Sequence, residues 1–335
     1  MTRRLLSRLL WALVTIWAVV TITFFVYNVL PADPAQVIAG PQARPADVAR
    51  IRRELGLDQP IPVRYVRYMT QLVRFGGAKA DAAEDSALWL GPVGIDLGVS
   101  YLKRQPVVAL LGEALPKTLL LGAFALLVEM IVGVGAGVIA AVRRNTVLDW
   151  GVVSLALLGI SAPTFVTGLI LQYVFAEWLR VLPMDGYGST GSETLRSVVL
   201  PGLTLGLFGA AGTARLVRDE MIGLLKADYI RTARAKGQRG SVIVLRHALR
   251  NALLPLVTVL GLSMSGLVGG AIVTEKLFRW PGLGALSVDA IVERDGPVIM
   301  GVVLVLSTTV VFANLLVDVS YALLDPRTRN TDEQK

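Results

Sequence analysis

The 335-residue chain holds few of the residue types that carry out catalysis or bind metal ions. It contains no cysteine and one histidine, His247, so it offers no thiolate nucleophile and no site built from several cysteine or histidine ligands. A membrane-bound protease or acyltransferase would need a converging nucleophile, base or set of metal ligands, and these residues argue against one. The sequence also lacks the phosphate-binding loop G-x-x-x-x-G-K followed by Ser or Thr. We therefore predict no catalytic, metal or nucleotide site in this chain.

Three polar residues stand in or beside long apolar stretches: Glu129, Gln172 and Glu275. An ionisable group inside a membrane is a functional candidate by default, because it is costly to bury. We take these three as candidates for lining or gating a solute pathway. The alternative is a hydrogen-bonded packing contact, which is favoured for Glu129 because a single carboxylate provides no proton relay.

The elements that position these residues are membrane helices. Hydrophobic residues make up 54% of the chain and charged residues 17%. Six apolar runs are long enough to cross about 30 Å of hydrocarbon: Leu9–Leu30, Thr118–Val142, Gly151–Leu179, Ser197–Ala214, Pro255–Val273 and Val298–Leu316. The first run is longer than the apolar part of a secretory signal and no small-x-small cleavage site follows it, which favours a retained span. The sequence predicts an all-α polytopic membrane protein with six transmembrane helices.

Proline and glycine shape these spans. Pro163 and Pro201 each remove a backbone donor inside a span, so we expect kinks there. Glycines at 133, 135 and 137 would let neighbouring helices approach closely.

Basic residues set the predicted orientation. The net charge of +8 does not require a nucleic-acid partner, since Lys and Arg gather on the cytoplasmic side of membrane proteins. With the N-terminus inside, the cytoplasmic set is Arg3, Arg4, Arg8, Arg143, Arg144, Arg215, Arg218, Lys226, Arg231, Arg234, Lys236, Arg239, Arg246, Arg250, Arg327, Arg329 and Lys335. The opposite short loops hold Arg180, Arg196, Lys276, Arg279 and Arg294. This asymmetry predicts that both termini are cytoplasmic.

The only sizeable extramembrane portion on the other side is predicted at Pro31–Lys117. Pro45–Leu57 and Ile61–Arg74 have the pattern of short helices, and Gly76–Gly91 that of a loop. We expect a small external cap. The predicted division is an N-terminal helix with its external segment at 1–112, a five-helix unit at 113–325 and a cytoplasmic tail at 326–335.

A long cytoplasmic loop, residues 221–251, separates the fourth and fifth spans. Ile222–Lys236 suits a helix, Gly237 a helix stop, and Ser241 an N-cap for a second helix at Val242–Leu254, after which Pro255 opens the next span. A loop that only connects spans is usually a few residues long. A short rigid helix with small residues at its tip instead suits the groove of a partner. We therefore favour docking of a cytoplasmic protein here, although its charge alone would be explained by topology.

The motifs in this loop are specific. Asp228–Gly237 reads D-Y-I-R-T-A-R-A-K-G and Arg246–Pro255 reads R-H-A-L-R-N-A-L-L-P. Further motifs follow along the chain: Gly56-Leu57-Asp58 with Pro60, Asp96-Leu97-Gly98 with Ser100, Trp280-Pro281-Gly282-Leu283-Gly284, Arg294-Asp295 with Pro297, and Asp325-Pro326-Arg327. Over nearly its whole length the chain resembles ABC-importer permeases of the dipeptide/oligopeptide/nickel family, dipeptide permease B type. It departs from the pattern at Arg231-Thr232-Ala233, where the name-giving Glu-Ala-Ala of the EAA loop would stand, and at an apparent insertion near 76–95.

The resemblance implies the MetI-like permease fold of type I ABC importers and a residence in the bacterial cytoplasmic (inner) membrane. It implies that the loop couples to an ATPase through Asp228, Tyr229, Arg231, Ala233, Arg234, Ala235, Lys236 and Gly237. The implied partners are a second permease of the dipeptide permease C type, two ATPase subunits, an extracytoplasmic solute-binding protein and the lipid bilayer. The implied cofactors, ATP and Mg²⁺, would be bound by the ATPases and none by this chain.

The cargo remains open at this point. Peptides lead by resemblance, and nickel chelates, glutathione and oligosaccharides are compatible with the same scaffold. A competing class is a secondary transporter driven by an ion gradient. That class predicts inverted repeats and several intramembrane charges, and the sequence shows no convincing repeat.

Overall fold

The computed structural model describes residues 2–29, 34–40, 42–75, 86–90 and 92–324. The helices are α1 (Thr2–Val29), α2 (Pro34–Ala39), α3 (Pro45–Glu54), α4 (Ile61–Leu72), α5 (Val107–Val128), α6 (Gly135–Val142), α7 (Val147–Ser161), α8 (Thr164–Leu171), α9 (Gly191–Leu224), α10 (Asp228–Ala235), α11 (Gly240–Val242), α12 (Leu249–Leu277), α13 (Leu283–Glu293) and α14 (Gly296–Leu324). Three π-helical segments, Glu129–Val134, Gln172–Trp178 and Ile243–Ala248, continue α5, α8 and α11.

Four of the described helices are long and apolar enough to cross a membrane: Leu10–Asn28, Val107–Val142, Gly191–Leu224 and Gly296–Leu315. The bent pair of α7 and α8 adds a fifth if it is counted as one span. The predicted span Pro255–Val273 falls within α12, but most side chains there lie outside the described part of the structure. The helices also extend beyond the predicted bounds. The second span begins at Val107 rather than Thr118, because hydropathy finds the lipid-facing stretch and not the helix end.

The third span is broken at the proline that predicted a kink. α7 ends at Ser161, Ala162 is extended (φ −80°, ψ 130°), and the chain turns by 109° into α8. The residue before a proline is pushed out of the helical region by the pyrrolidine ring, which explains the break at Ala162-Pro163. The second proline, Pro201, lies inside the unbroken helix α9.

A small antiparallel sheet corrects the expectation of an all-α protein. β1 (Val73–Phe75), β2 (Ala87–Leu90) and β3 (Val93–Asp96) pair in the order β1-β3-β2. The predicted loop Gly76–Gly91 therefore contains strand β2, while residues 76–85 and 91 lie outside the described residues. The segment Ala87-Leu88-Trp89-Leu90 carries no charge and ends near glycine, which suits a strand in a short hairpin as well as a loop.

The chain forms two compact units. Unit 1 comprises Met1–Pro116 with Ala285–Val311, and its core holds Val20, Phe24 and Met300 beneath α4. Unit 2 comprises Lys117–Gly284 with Phe312–Lys335.

Glycines bring α6 and α9 together in unit 2. A Cβ on Gly137 would lie 2.6 Å from the Ala214 carbonyl oxygen and 2.8 Å from Val217 Cβ. A Cβ on Gly133 would lie 2.9 Å from Thr213 Cβ, whereas a Cβ on Gly135 would meet nothing within 4 Å. The predicted packing role is therefore confirmed for Gly133 and Gly137.

Candidate functional site

The segment Asp228–Gly237 forms one short, sharply bounded helix, α10. It begins after Ala227, whose backbone is extended (φ −66°, ψ 151°), and its last turn closes at Gly237, whose φ is +73°. The Gly237 amide donates to Arg234 O at 2.9 Å and the Gln238 amide to Ala233 O at 3.3 Å. These two bonds form a Schellman motif, so the predicted helix stop at Gly237 is confirmed.

One face of α10 packs against its own chain. Ile230 is fully buried and Ala233 is 8% exposed, both in a cluster with Val217, Met221 and Ile243. The small side chain of Ala233 therefore serves packing within the protein and does not face outward. Ala235 is exposed at the tip of the helix.

The other residues predicted for coupling lie on the open face. Asp228, Tyr229, Arg231, Arg234, Lys236 and Gly237 are all exposed. Arg231 pairs with Asp228 at 3.3 Å, but both side chains are largely in solvent, so the pair adds little stability. The open face is thus short, rigid and basic, with a small residue near its end.

The return from α10 differs from the prediction. The helix expected over Ile222–Lys236 is interrupted at residues 225–227, where α9 has ended and α10 has not begun. Arg239, and not Ser241, occupies the N-cap position of α11, and Pro255 lies inside α12. α11, the π segment and α12 follow one another from Gly240 to Leu277 without an intervening loop. Because α11 begins at Gly240, Ser241 lies inside its first turn and cannot be the N-cap residue.

Side-chain hydrogen bonds tie α10 to the continuous helix from Gly240 to Leu277, which we call the returning helix. Asn251 Nδ2 donates to the Tyr229 hydroxyl at 3.1 Å, and His247 Nε2 lies 2.7 Å from Gln238 Oε1. His247 therefore contacts the residue that directly follows Gly237. We call α10 with residues 236–251 the elbow.

Glu129 is buried among helices. It is 2% exposed, and Thr213 Oγ1 donates to its Oε1 at 2.7 Å. Its carboxylate lies against Gly209, where any Cβ would collide with it. Glu129 also begins a π-helical segment, a widening often found at functional sites. The structure shows the packing alternative, and a pathway role stays a prediction.

Gln172 and Glu275 are also bonded within unit 2. Gln172 is 7% exposed, and its Nε2 donates to Met184 O at 3.0 Å. Glu275 is fully buried and accepts a bond of 2.7 Å from Thr118 Oγ1, which itself accepts one from the Leu283 amide. The turn Trp280–Gly284 thus folds around the Glu275 carboxylate.

Comparison with known proteins places these features in a family. Residues 133–330 match the family described as binding-protein-dependent transport system inner membrane component, and residues 1–122 match its N-terminal counterpart. The chain belongs to this family. The glutathione transport system permease protein GsiC of Salmonella typhi is 38% identical over 98% of this chain and 99% of its own length. A putative peptide transport system permease protein of Brucella abortus is 40% identical over 98% and 99%.

The fold has a solved counterpart. A chain of the MetNI methionine ABC transporter superposes with a TM-score of 0.56 and 19% identity, over 66% of this chain and 98% of that one. This likeness establishes the MetI-like fold. The protein is a multi-pass permease subunit of an ABC importer in the bacterial inner membrane, and thus a transport subunit rather than an enzyme. The ion-driven alternative is set aside by the same family assignment.

An ion pair that sequence reasoning missed joins α7 to α9 in this permease. Asp149, in the first turn of α7, is 3% exposed and accepts both from the Arg218 guanidinium of α9 and from the Asn145 amide. In the sequence, Arg218 counts only as a cytoplasmic charge. The available signal was Asp149 itself, an acidic residue two positions before the apolar run that begins at Gly151.

The permease also joins two distant motifs in unit 1. Asp295, 2% exposed, accepts from Ser100 Oγ at 2.5 Å and from the amides of Tyr101 and Leu102 at 3.2 and 3.4 Å. Asp96 pairs with Arg74 at 2.5 Å and caps the Gly98 amide. We call the contacts of Ser100, Tyr101 and Leu102 with Asp295 the clasp. It holds the loop Asp96–Ser100, which reads D-L-G-V-S and is called the D-L-G-x-S loop below, against the first turn of α14.

Proposed function

We propose that this chain is one of two different permeases in an ATP-driven importer of peptides. We propose further that the movement of the ATPase subunits is transmitted to this chain through the elbow. The complete assembly would contain two ATPase subunits, which bind ATP and Mg²⁺, and an extracytoplasmic solute-binding protein. In this proposal the chain has six spans and both termini are cytoplasmic, so the elbow lies on the same side as the ATPases. In this proposal residues 113–325 form the transport unit and residues 1–112 an anchoring span with an external cap.

The observation that supports ATPase docking best is the geometry of α10. Its inner face, Ile230 and Ala233, is fixed to the core, and its outer face is exposed and basic. A helix presented in this way can enter a groove without first becoming ordered, so binding costs little conformational entropy. Ala235 permits close approach, and Arg231, Arg234 and Lys236 add attraction to an acidic groove.

The transport cycle follows from this attachment. Closure of the ATPases on ATP would displace α10, and the bonds of Tyr229 and Gln238 would pass the displacement to the returning helix. The spans would then alternate between inward-open and outward-open arrangements. Glu129, Gln172 and Glu275 would be exposed to the pathway only where this motion separates their present partners.

The cargo proposal rests on the relatives. The two relatives quoted are named for glutathione and for peptides, and glutathione is itself a tripeptide. A peptide cargo is therefore the class that both share. Nickel chelates and oligosaccharides remain the alternatives, since the solute-binding protein is expected to set most of the selectivity.

The docking proposal is tested by placing a charge at the open tip of α10. In a reconstituted transporter with its binding protein, Ala235→Glu should abolish ATP-dependent uptake of a labelled dipeptide and the stimulation of ATP hydrolysis. Ala235→Ser, which keeps the side chain small, should retain both. Persistence of both activities in Ala235→Glu would show that the tip of α10 is not the docking element.

A matched control separates docking from general damage. Ala46 is exposed on α3, in the predicted external cap, and Ala46→Glu introduces the same side chain there. This variant should keep ATPase stimulation. Uptake assays that compare a dipeptide, a tripeptide, glutathione, a nickel chelate and an oligosaccharide identify the cargo, and transport of the chelate or the sugar alone would contradict a peptide importer.

A further inference from the structure

Unit 1 contains a cavity of about 660 Å³ beside the clasp. Its wall combines the end of α1, the helices α3 and α4, the D-L-G-x-S loop and the first turn of α14. Apolar side chains such as Phe24, Leu55 and Met300 share this wall with a group of arginines: Arg50, Arg64, Arg67 and Arg104. A cavity of this size holds a small molecule or the polar end of a larger one.

The acidic residues around the cavity are already engaged. Asp96 pairs with Arg74, Glu54 lies 3.8 Å from Arg50, and Asp295 accepts its bonds within the clasp. Among the described residues, the guanidinium groups of Arg64, Arg67 and Arg104 have no ion-pair partner. The lining includes four arginines and two carboxylates, those of Glu54 and Asp96, so the wall carries an excess of positive charge.

The wall also contains polar atoms that the protein leaves unsatisfied. Within the described residues, the Asn28 Oδ1 atom and the Tyr68 hydroxyl are buried and have no hydrogen-bond partner. An unpaired buried polar atom destabilises the folded state, because it has lost its hydrogen bond to water. Burial raises the pKa of Tyr68 to about 12, so its hydroxyl keeps a proton that it can donate.

The backbone next to the clasp is held in an unfavourable conformation. Arg104 has a φ of +55°, in the left-handed region that side chains other than glycine rarely adopt. Its amide donates to Ser100 O at 3.2 Å, and Ser100 in turn is held by Asp295. Residues kept in this region by their surroundings cluster at ligand sites.

We infer that this cavity is a binding site for an oxyanion, the phosphate or carboxylate group of a small molecule or of a lipid headgroup, recognised by Arg64, Arg67 and Arg104. Guanidinium groups match the planar arrangement of such oxygens and bind them through paired, charge-assisted hydrogen bonds. Tyr68 provides a further donor. The Asn28 carbonyl oxygen suits an N–H or O–H group on the same ligand.

Site-specific labelling tests this inference on the assembled transporter. Phenylglyoxal modifies accessible guanidinium groups, and mass spectrometry reports each arginine separately. In phosphatidylcholine nanodiscs, inorganic phosphate or glycylglycine should slow the labelling of Arg64, Arg67 and Arg104 several-fold. Arg53 is the internal control, since it is exposed on α3 and does not line the cavity.

A second labelling experiment, in nanodiscs of different lipid composition, identifies the source of the oxyanion. If phosphatidylglycerol replaces part of the phosphatidylcholine and alone slows labelling, the occupant is a lipid headgroup. If only the soluble anions protect, it is a free solute. Equal slowing of Arg53, or no protection in either experiment, would overturn the inference.

Variants provide an independent readout. Arg64→Gln combined with Arg67→Gln should weaken protection of Arg104 by roughly tenfold or more, the ratio expected when hydrogen bonds to a charged group are lost. Arg53→Gln should leave that protection unchanged. Protection of Arg104 that survives the double substitution would contradict a shared site.

Discussion

Asp149 and Arg218 form a two-point ion pair: Nε and Nη2 of the guanidinium donate to the two carboxylate oxygens at 2.5 and 2.9 Å. The side chain of Asp149 is 4% exposed and that of Arg218 is 21% exposed. The pair joins the start of α7 to α9 six residues before that helix ends. It thereby fixes the helix from which the elbow departs.

Removal of one partner should destabilise the protein. Asp149→Asn leaves the Arg218 guanidinium without its main counter-charge, and breaking a buried pair in this way costs about 3–5 kcal/mol. We expect a clear drop in the melting temperature of the purified transporter in detergent. The melting temperature of Arg218→Lys should lie between those of the unmodified protein and Asp149→Asn, because an ammonium group keeps the charge but cannot form the two-point contact.

The exposed pair on α10 is the matched control for stability. Asp228→Asn removes the carboxylate from a pair whose side chains are 74% and 96% exposed, so its loss should change the free energy of unfolding by less than about 1 kcal/mol. A melting temperature lowered as much by Asp228→Asn as by Asp149→Asn would show that burial does not decide the difference.

Gly237 is required for its backbone conformation and not for its size. A Cβ there would meet nothing within 4 Å, but φ is +73°. A β-branched side chain disfavours this conformation by about 1–2 kcal/mol, whereas asparagine tolerates it. We expect Gly237→Val to reduce ATPase stimulation and uptake strongly and Gly237→Asn to retain most of both, each normalised to the amount of inserted protein. Equal activity of the two variants would contradict a conformational requirement.

Gly137 and Gly135 offer a comparison within one helix. Gly137→Ala would force α6 away from the Ala214 carbonyl and Val217, at a cost of about 1–3 kcal/mol. Gly135→Ala meets open space and should be neutral or stabilising by up to about 1 kcal/mol, since alanine favours the helix. Thermal unfolding in detergent should separate the two variants. A comparable loss in both would mean that the close approach of α6 and α9 is unimportant.

The clasp should contribute to the stability of unit 1. Asp295→Ala leaves the buried Ser100 hydroxyl and two backbone amides without their acceptor, a loss of about 1–3 kcal/mol for each group left unpaired. Asp295→Asn keeps one acceptor oxygen and should be milder. Limited proteolysis measures the effect through cleavage between Ser100 and Arg104. Unchanged cleavage in Asp295→Ala would argue that the loop is held by other contacts.

Local signals in the sequence were sufficient where one residue decides the backbone. Gly237 ends α10 because it takes the left-handed conformation, and Pro163 breaks the third span because of its ring. The family motifs identified the permease, since their order along the chain is specific. The short helices α3 and α4 were also predicted, with ends three and two residues beyond those observed.

Other features depend on contacts between distant residues. Nothing in the sequence of α10 alone shows that Ala233 faces inward, because that depends on Val217 and Ile243. The clasp joins residues 195 positions apart, and the Asp149–Arg218 pair residues 69 apart. Strand β2 pairs with β3, and Arg239 rather than Ser241 takes the N-cap position because α11 begins at Gly240.

The returning helix of the elbow has a mechanical consequence. From Gly240 to Leu277 it runs for 38 residues, about 57 Å at the usual rise of 1.5 Å per residue. Because no loop interrupts it, a displacement of the elbow beside Asn251 would reach the Glu275–Thr118 hydrogen bond through one continuous helix. The π segment Ile243–Ala248, Pro255 and the break at Ala162-Pro163 are the points where these spans can bend.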